Sequence, residues 1–243
     1  MTYPRPHLWG LLAGLFLATG LVFSTTVATR AWVKVHEPQA ISVTGSARKN
    51  IVADLIVWRG TFATEAPTLA EAQKKLRMDS VSVGNFLNQS GVTNFAFKPI
   101  VIEERRETIY TNDHSTTEHT FKLKQTVEVR STSLEMIVHL DSDCANLVDS
   151  GVLFTTAPPQ FIYTKSAEAK IEMLGEATRD AKARAEQIAS QGDRKLARLQ
   201  DAHMGVFQIA PLYSTQTSWE GMNDTTSFEK TITAVVTVSF CLK

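Results

Sequence analysis

Two cysteines in 243 residues are too few for a disulfide-dense scaffold or a four-cysteine zinc site. An excess of charge of one sign is also missing. Lysine plus arginine number 25 against 25 aspartate plus glutamate, and without residues 1–28, which hold only Arg5, the balance is 24 against 25. A nucleic-acid binder draws its affinity mainly from cation–phosphate contacts, so nucleic acid is not an expected partner. The sequence contains no G-x-S-x-G, H-E-x-x-H, P-loop or G-x-G-x-x-G pattern. That removes the commonest hydrolase, metalloprotease and nucleotide-binding readings. A shortage of apolar residues is not among the absences. At 43% hydrophobic, the chain can build a core and is not a disordered tail.

Long apolar runs are absent, with one exception. Behind Arg5 and His7, the 21 residues Leu8 to Ala28 carry no charge, and Arg30 is the first charge after them. A spanning helix needs about 20 apolar residues and a signal-peptide core about 7–15. The strongly apolar part, Leu8 to Phe23, lies between those limits, and Thr26-Val27-Ala28 is a tolerable cleavage site. Two outcomes stay open: a signal peptide cleaved after Ala28, or an uncleaved anchor in the inner membrane through residues 8–28. Both predict that Thr29 onward is exported to the periplasm. Residues 1–28 thus form the targeting segment, 29–39 a linker and 40–243 the folded domain.

Within that domain, strand and helix periods alternate. Ala40–Ala47 and Ile51–Ala63 read as strands, with Gly45 a bend in the first and Asp54 and Arg59 interrupting the second. A face of the second strand therefore meets solvent or a partner chain. Pro67–Gly91 reads as a helix opening at Pro67, with a stripe at Leu69, Ala72, Leu76, Val83, Phe86 and Leu87. Phe95–Tyr110 and His119–Arg130 read as two long strands around the polar turn Thr111–Thr117, a hairpin. Leu134–Ser150 is a second helix. Val152–Tyr163 is extended, with Pro158-Pro159 demanding an edge or a bulge. Ser166–Gln191 is a third helix, predicted to bury Ile171, Leu174, Ala181, Ala185 and Ile188. Lys195–Ile209 and Lys230–Leu242 complete the set, joined by a polar loop with aromatics. The order β-β-α-β-β-α-β-α-β-β, with three helices after the N-terminal hydrophobic helix, predicts an α+β fold with mixed or antiparallel sheets.

Three segments together resemble the SIMPL-domain family, also called DUF541. Ile41-Ser42-Val43-Thr44-Gly45 resembles the family's "V-x-G" strand, and Val52-Ala53-Asp54-Leu55 its "x-A-D-x-A" strand. Trp58 fits the tryptophan of one branch of exported bacterial members. Asp180-Ala181-Lys182-Ala183-Arg184-Ala185-Glu186 through Gly192, then Lys195-Leu196, is similar to "D-A-R-x-K-A-E … G-x-K-L-G", with Ala197 in place of the last glycine. The resemblance implies an exported bacterial envelope protein with an α+β fold that tends to self-assemble. It offers no catalytic residues to transfer, and the mammalian signalling role behind the family's name does not carry over.

The residues supply few candidate sites. Asp113, His114, Glu118 and His119 cluster at the hairpin turn. A metal site needs three or four converging ligands. Two histidines five apart match no zinc motif, so the competing reading is a solvated hairpin tip. Glu103-Glu104 and Asp141-Ser142-Asp143 are paired carboxylates, but acid–base work needs an apolar pocket, and Arg105-Arg106 beside the first pair points to a paired surface. Cys144 sits on an apolar helix stripe and Cys241 on the opposite parity from Phe240 and Leu242. A bond between them and a buried free thiol at Cys144 both remain open. Tyr213, Trp219, Met222 and Phe228 form either a contact surface or a flap folded over the core.

The sequence therefore predicts an exported, non-catalytic periplasmic envelope protein with no cofactor. It is expected to form a homo-oligomer through Phe95–Tyr110 and His119–Arg130 and to meet an envelope protein partner. The alternative is a periplasmic enzyme or metal-binding protein using Asp113, His114, Glu118 and His119.

Overall fold

A computed structural model describes the backbone of residues 6–36, 40–111 and 114–243, and the side chains of 10–32, 40–106 and 119–243. The elements run α1 (Pro6–His36), β1 (Ala40–Val52), β2 (Leu55–Ala66), α2 (Leu69–Gln89), β3 (Phe95–Phe97), β4 (Val101–Thr111), β5 (His114–Ser131), α3 (Leu134–Asp143), α4 (Ala145–Asp149), β6 (Leu153–Ile162), α5 (Ser166–Gln191), β7 (Leu196–Met204), β8 (Gln208–Pro211), β9 (Met222–Asn223) and β10 (Glu229–Leu242). The class is α+β, as expected.

The count of three helices after α1 becomes four, because the expected helix Leu134–Ser150 breaks at Cys144. Asp141, Ser142 and Asp143 are weak helix formers, and the Ser142 hydroxyl bonds back to the Val138 carbonyl at 2.9 Å. Three further boundaries differ. The strand expected over Phe95–Tyr110 splits around Lys98-Pro99-Ile100, where Pro99 has no N–H to donate. Pro67 lies outside α2: Thr68 is the N-cap, its side chain accepting from Glu71 N at 3.3 Å. The polar stretch Arg48-Lys49-Asn50 continues β1, and the break falls at Ala53-Asp54. There Ala53 N donates to the Phe228 carbonyl, and Asp54 accepts from the N–H and hydroxyl of Thr164, both at 2.7 Å.

The chain forms two units. One comprises Met1–Gly45, Ala181–His203 and Thr237–Lys243, the other Ser46–Asp180 and Met204–Val236. In the first, α1 holds the stretch Gly10–Trp32, long and apolar enough to cross a membrane, with exposed side chains. Reciprocal backbone bonds between Lys195 and Lys243, at 3.0 and 2.8 Å, tie the start of β7 to the chain end. Val43, Val238, Phe240 and Cys241 are buried there.

In the second unit, a sheet in the order β3-β5-β2-β6, with β4 also paired to β5, covers the main core. Ile56, Trp58 and Phe62 of β2 and Leu123, Val127 and Val129 of β5 point inward. They meet the α2 stripe Ala72, Leu76, Val83 and Leu87, together with Ile137, Leu140 and Leu147. Gly60 makes this core possible. A Cβ there would lie 2.1 Å from Phe154 Cζ and 2.9 Å from Trp58 Cη2, so only glycine lets the stacked rings of Trp58 and Phe154 pass, 6.1 Å between centroids. β6 meets both expectations for Pro158-Pro159. It is the sheet edge, and its register against β2 shifts between Val57 and Arg59, a bulge opposite the prolines. A further sheet runs β1-β10-β8-β9, with β7 also beside β10.

The expected face of α5 needs correction. Ile171 is 74% exposed and Ile188 54% exposed, and Leu174 is only partly buried. The buried row is Ala169, Met173, Ala177, Ala181, Ala185 and Ala189. A row at spacing four is one of the natural ridges of a helix, and small side chains along it permit close approach. Alanine contributes little hydropathy while filling the closest contact, so the stripe of larger residues does not mark the buried face.

Candidate functional site

β5 organises a charged surface of the second unit. Its alternation turns Leu123, Val127 and Val129 into the core and Lys122, Lys124, Thr126, Glu128 and Arg130 outward. The β2 and β4 partners in register are Glu65 and Glu103 for Lys122, and Arg59 for Glu128. Opposite charges therefore face each other across strands. Lys122 pairs with Glu65 at 2.5 Å and Lys124 with Glu103 at 2.8 Å. The Lys122 contact holds the Glu65 carboxyl below its usual range.

Glu128 is the centre of this face. Its side chain is buried, yet three cations reach it: Arg59 Nε at 3.0 Å, Lys98 Nζ at 3.2 Å and Arg130 Nη2 at 2.9 Å. Arg59 also donates to Gln160 Oε1 at 2.9 Å. Burial alone would raise the Glu128 pKa. The bonds from Arg59, Lys98 and Arg130 outweigh it and hold the carboxyl below its ordinary value. The cover is three long side chains rather than protein core. The sequence hint was Arg59 interrupting an apolar strand. Lys98 was not foreseen, because it lies in the break that Pro99 creates.

Beyond Phe121, β5 leaves β2 and pairs only with β4, from Arg105 opposite Thr120 to Thr111 opposite His114. This two-stranded arm contains the expected hairpin site. Asp113 lies outside the described residues, as do the side chains of His114 and Glu118. His119 Nδ1 lies 3.2 Å from Glu104 Oε1, and Arg106 Nε donates to the same oxygen at 2.9 Å. Arg106 first, then His119, holds the Glu104 carboxyl below its usual range. Among the described residues, no three His, Cys, Asp or Glu side chains converge on a point that would hold a metal ion.

The remaining candidates serve the fold. Trp58 Nε1 donates to Asp141 Oδ1 at 2.9 Å, so that carboxylate satisfies the buried indole. Cys144 and Cys241 are free and buried. Burial, followed by the neighbouring Asp141 and Asp143, pushes the Cys144 thiol up to about 12, far from a nucleophile. The aromatic loop divides. Phe228 packs on Phe161 at 5.7 Å, held by buried Lys230, whose ammonium donates to the carbonyls of Phe161 and Asp224. Tyr213 and Trp219 stay exposed.

The motif residues are structural as well. Asp54 fastens the entry of β2 to Thr164. Asp180 accepts from Ser46 N at 2.9 Å, joining the helix motif to the residue after Gly45. A family model described as SIMPL, protein of unknown function (DUF541), matches residues 41–240, and the chain belongs to that family. No curated protein matches it.

Proposed function

We propose that this SIMPL-family chain is an exported, non-catalytic protein of the periplasmic cell envelope that self-assembles and acts through contacts with other proteins. The observation that carries this reading is the two-stranded arm Arg105–Thr111 with His114–Thr120. An isolated pair of strands is marginal in water, and β4 presents a long edge with no second strand partner among the described residues. A second copy that pairs with this arm removes both liabilities. The charged run Glu103 to Arg106 on the β4 edge sets the partner's register by cross-strand pairing. Closed symmetry follows, since unclosed strand addition would make fibres.

Two further observations support the absence of catalysis. Asp54 and Asp180, the acids of the family motifs, are engaged in holding strands and helix ends, and burial pushes the Cys144 thiol up to about 12, which disfavours the nucleophilic thiolate. The apolar stretch of α1 supports export, either cleaved after Ala28 or kept as an inner-membrane anchor.

The test is metal analysis of the purified full-length protein, with intact mass measured on the native material. The expected result is less than one metal per chain and a mass corresponding to one of the two N-termini. Stoichiometric zinc or copper that disappears on His114→Ala would favour the metal-binding reading at Asp113, His114, Glu118 and His119. A full-length chain found soluble in the cytoplasm would end the envelope assignment.

A further inference from the structure

In the second unit, Arg48 and Asn50 of β1, Gln208 and Ala210 of β8 and Thr231 and Thr233 of β10 line a cavity of about 330 Å³, walled on one side by residues 213–217. Eight of its eleven lining residues are Asn, Gln, Ser or Thr, with an amide or an aliphatic hydroxyl, among them Asn50, Gln208, Thr231 and Thr233. The others are Arg48, Tyr213 and Ala210, with no carboxylate and no histidine.

The wall is built rather than loose. Gln208, only 9% exposed, clasps Ser218 at both ends of its amide: Oε1 accepts from Ser218 N at 3.2 Å, and Nε2 donates to the Ser218 carbonyl. Leu212 N donates to Glu229 O and Ser214 N to Pro211 O. Tyr213 is held at φ +64°, a left-handed conformation that a bulky residue rarely adopts. Tyr213 is 88% exposed, and Trp219 just beyond the wall is 84% exposed. Backbone strain is thus tolerated to keep an aromatic ring at the rim of a polar hollow. On the strand side, the exposed Asn50 accepts through Oδ1 from the Thr231 hydroxyl at 3.1 Å, which orients the amide and leaves its NH₂ group without a protein acceptor among the described residues. The Arg48 guanidinium likewise has no ion pair or hydrogen bond there.

This lining selects among ligand classes. A metal ion would find neither carboxylate nor imidazole. A nucleotide or polyphosphate would find one cation and no glycine-rich cradle. An apolar ligand would leave the hydroxyls and amides unpaired. A saccharide presents what the lining complements: hydroxyls that both donate and accept, and a flat C–H face for an aromatic ring. We infer that this cavity is a saccharide-binding site, with Tyr213 as the stacking platform, Asn50 as a hydrogen-bonding side wall and Arg48 placed for a carboxylate on the sugar. The size suits a short stretch of glycan rather than a whole polymer.

The test is isothermal titration of full-length protein, in a detergent without a sugar headgroup, with two probes: neutral chitotetraose and acidic tetragalacturonate. Binding of both is expected, with the acidic probe tighter. Arg48→Gln should remove that preference. Asn50→Ala and Tyr213→Ala should each weaken both probes about tenfold, the loss of roughly one good contact, while Tyr213→Phe keeps the affinity. Circular dichroism matching wild type separates lost binding from lost folding, and the conserved affinity of Tyr213→Phe is the internal check. No heat from either probe at millimolar concentration would overturn the inference, as would binding that survives both Asn50→Ala and Tyr213→Ala.

Discussion

Glu128 lets the electrostatics of the outer sheet face be tested with a number. Replacing it by alanine leaves Arg59, Lys98 and Arg130 converging without their shared carboxylate, Arg59 keeping only Gln160. Removing one partner of a fully buried pair costs about 3–5 kcal/mol. Here the cations are 39%, 44% and 57% exposed, and water relieves much of their repulsion. A cost of about 1–3 kcal/mol at pH 7 is therefore expected. With a urea dependence of about 2 kcal/mol per molar, a loss of about 2 kcal/mol moves the midpoint by about 1 M. Trp58 supplies the signal, since it is fully buried in the same core while Trp32 and Trp219 are exposed. The pH dependence has a definite sign. The folded pKa of Glu128 lies below its ordinary value of 4.5. The stabilisation is therefore fully present above the unfolded pKa and is lost as pH falls through the folded one. The gap between wild type and Glu128→Gln should be widest near neutrality and close in acid. A Glu128→Ala chain within about 0.5 kcal/mol of wild type at pH 7, or a gap that widens in acid, would refute the reasoning.

Three other perturbations follow from the packing. Gly60→Ala drives a methyl group into Phe154 and Trp58 and should destabilise by about 3 kcal/mol, the upper end of overpacking; equal stability in urea would mean the aromatic stack yields freely. Ala185→Leu should cost roughly 1–3 kcal/mol because Ala185 is fully buried, while Ile171→Ser, on the exposed face, should change little; the reverse ranking would restore the isoleucine face as the packed one. Cys144, with its thiol near pKa 12, should resist alkylation at pH 8 in native protein and react in urea, as read by mass spectrometry of the labelled peptides; rapid native labelling would contradict its burial.

Much of the architecture was legible because periodicity reports which face is buried. β10 alternates from Ile232 to Phe240 as the sequence suggested, and the α2 stripe from Ala72 to Leu87 is the packed one. The misses have separate physical causes. The α5 row is made of alanines apart from Met173, and their small side chains hide a close contact from any measure based on hydropathy. The break at Cys144 comes from side-chain oxygens competing for backbone partners, a local effect that the helical stripe does not register. The Glu128 cluster needs β2, β5 and the β3–β4 link at once, and no spacing along the chain encodes that convergence. The Gln208–Ser218 clasp beside the polar cavity has no signature along the chain either. Of the hairpin quartet, only the contact of His119 with Glu104 is defined.

Self-assembly through the β4–β5 arm is the central claim, and the mass of the particle in solution tests it most directly. Light scattering on full-length protein in mild detergent, at micromolar concentration and with the detergent contribution subtracted, should give a single closed oligomer. Charge reversal at Arg105 and Arg106 should shift that mass downward while leaving circular dichroism unchanged. A monodisperse particle near the 26.9 kDa single-chain mass, the same in wild type and in the reversed variant, would contradict the account.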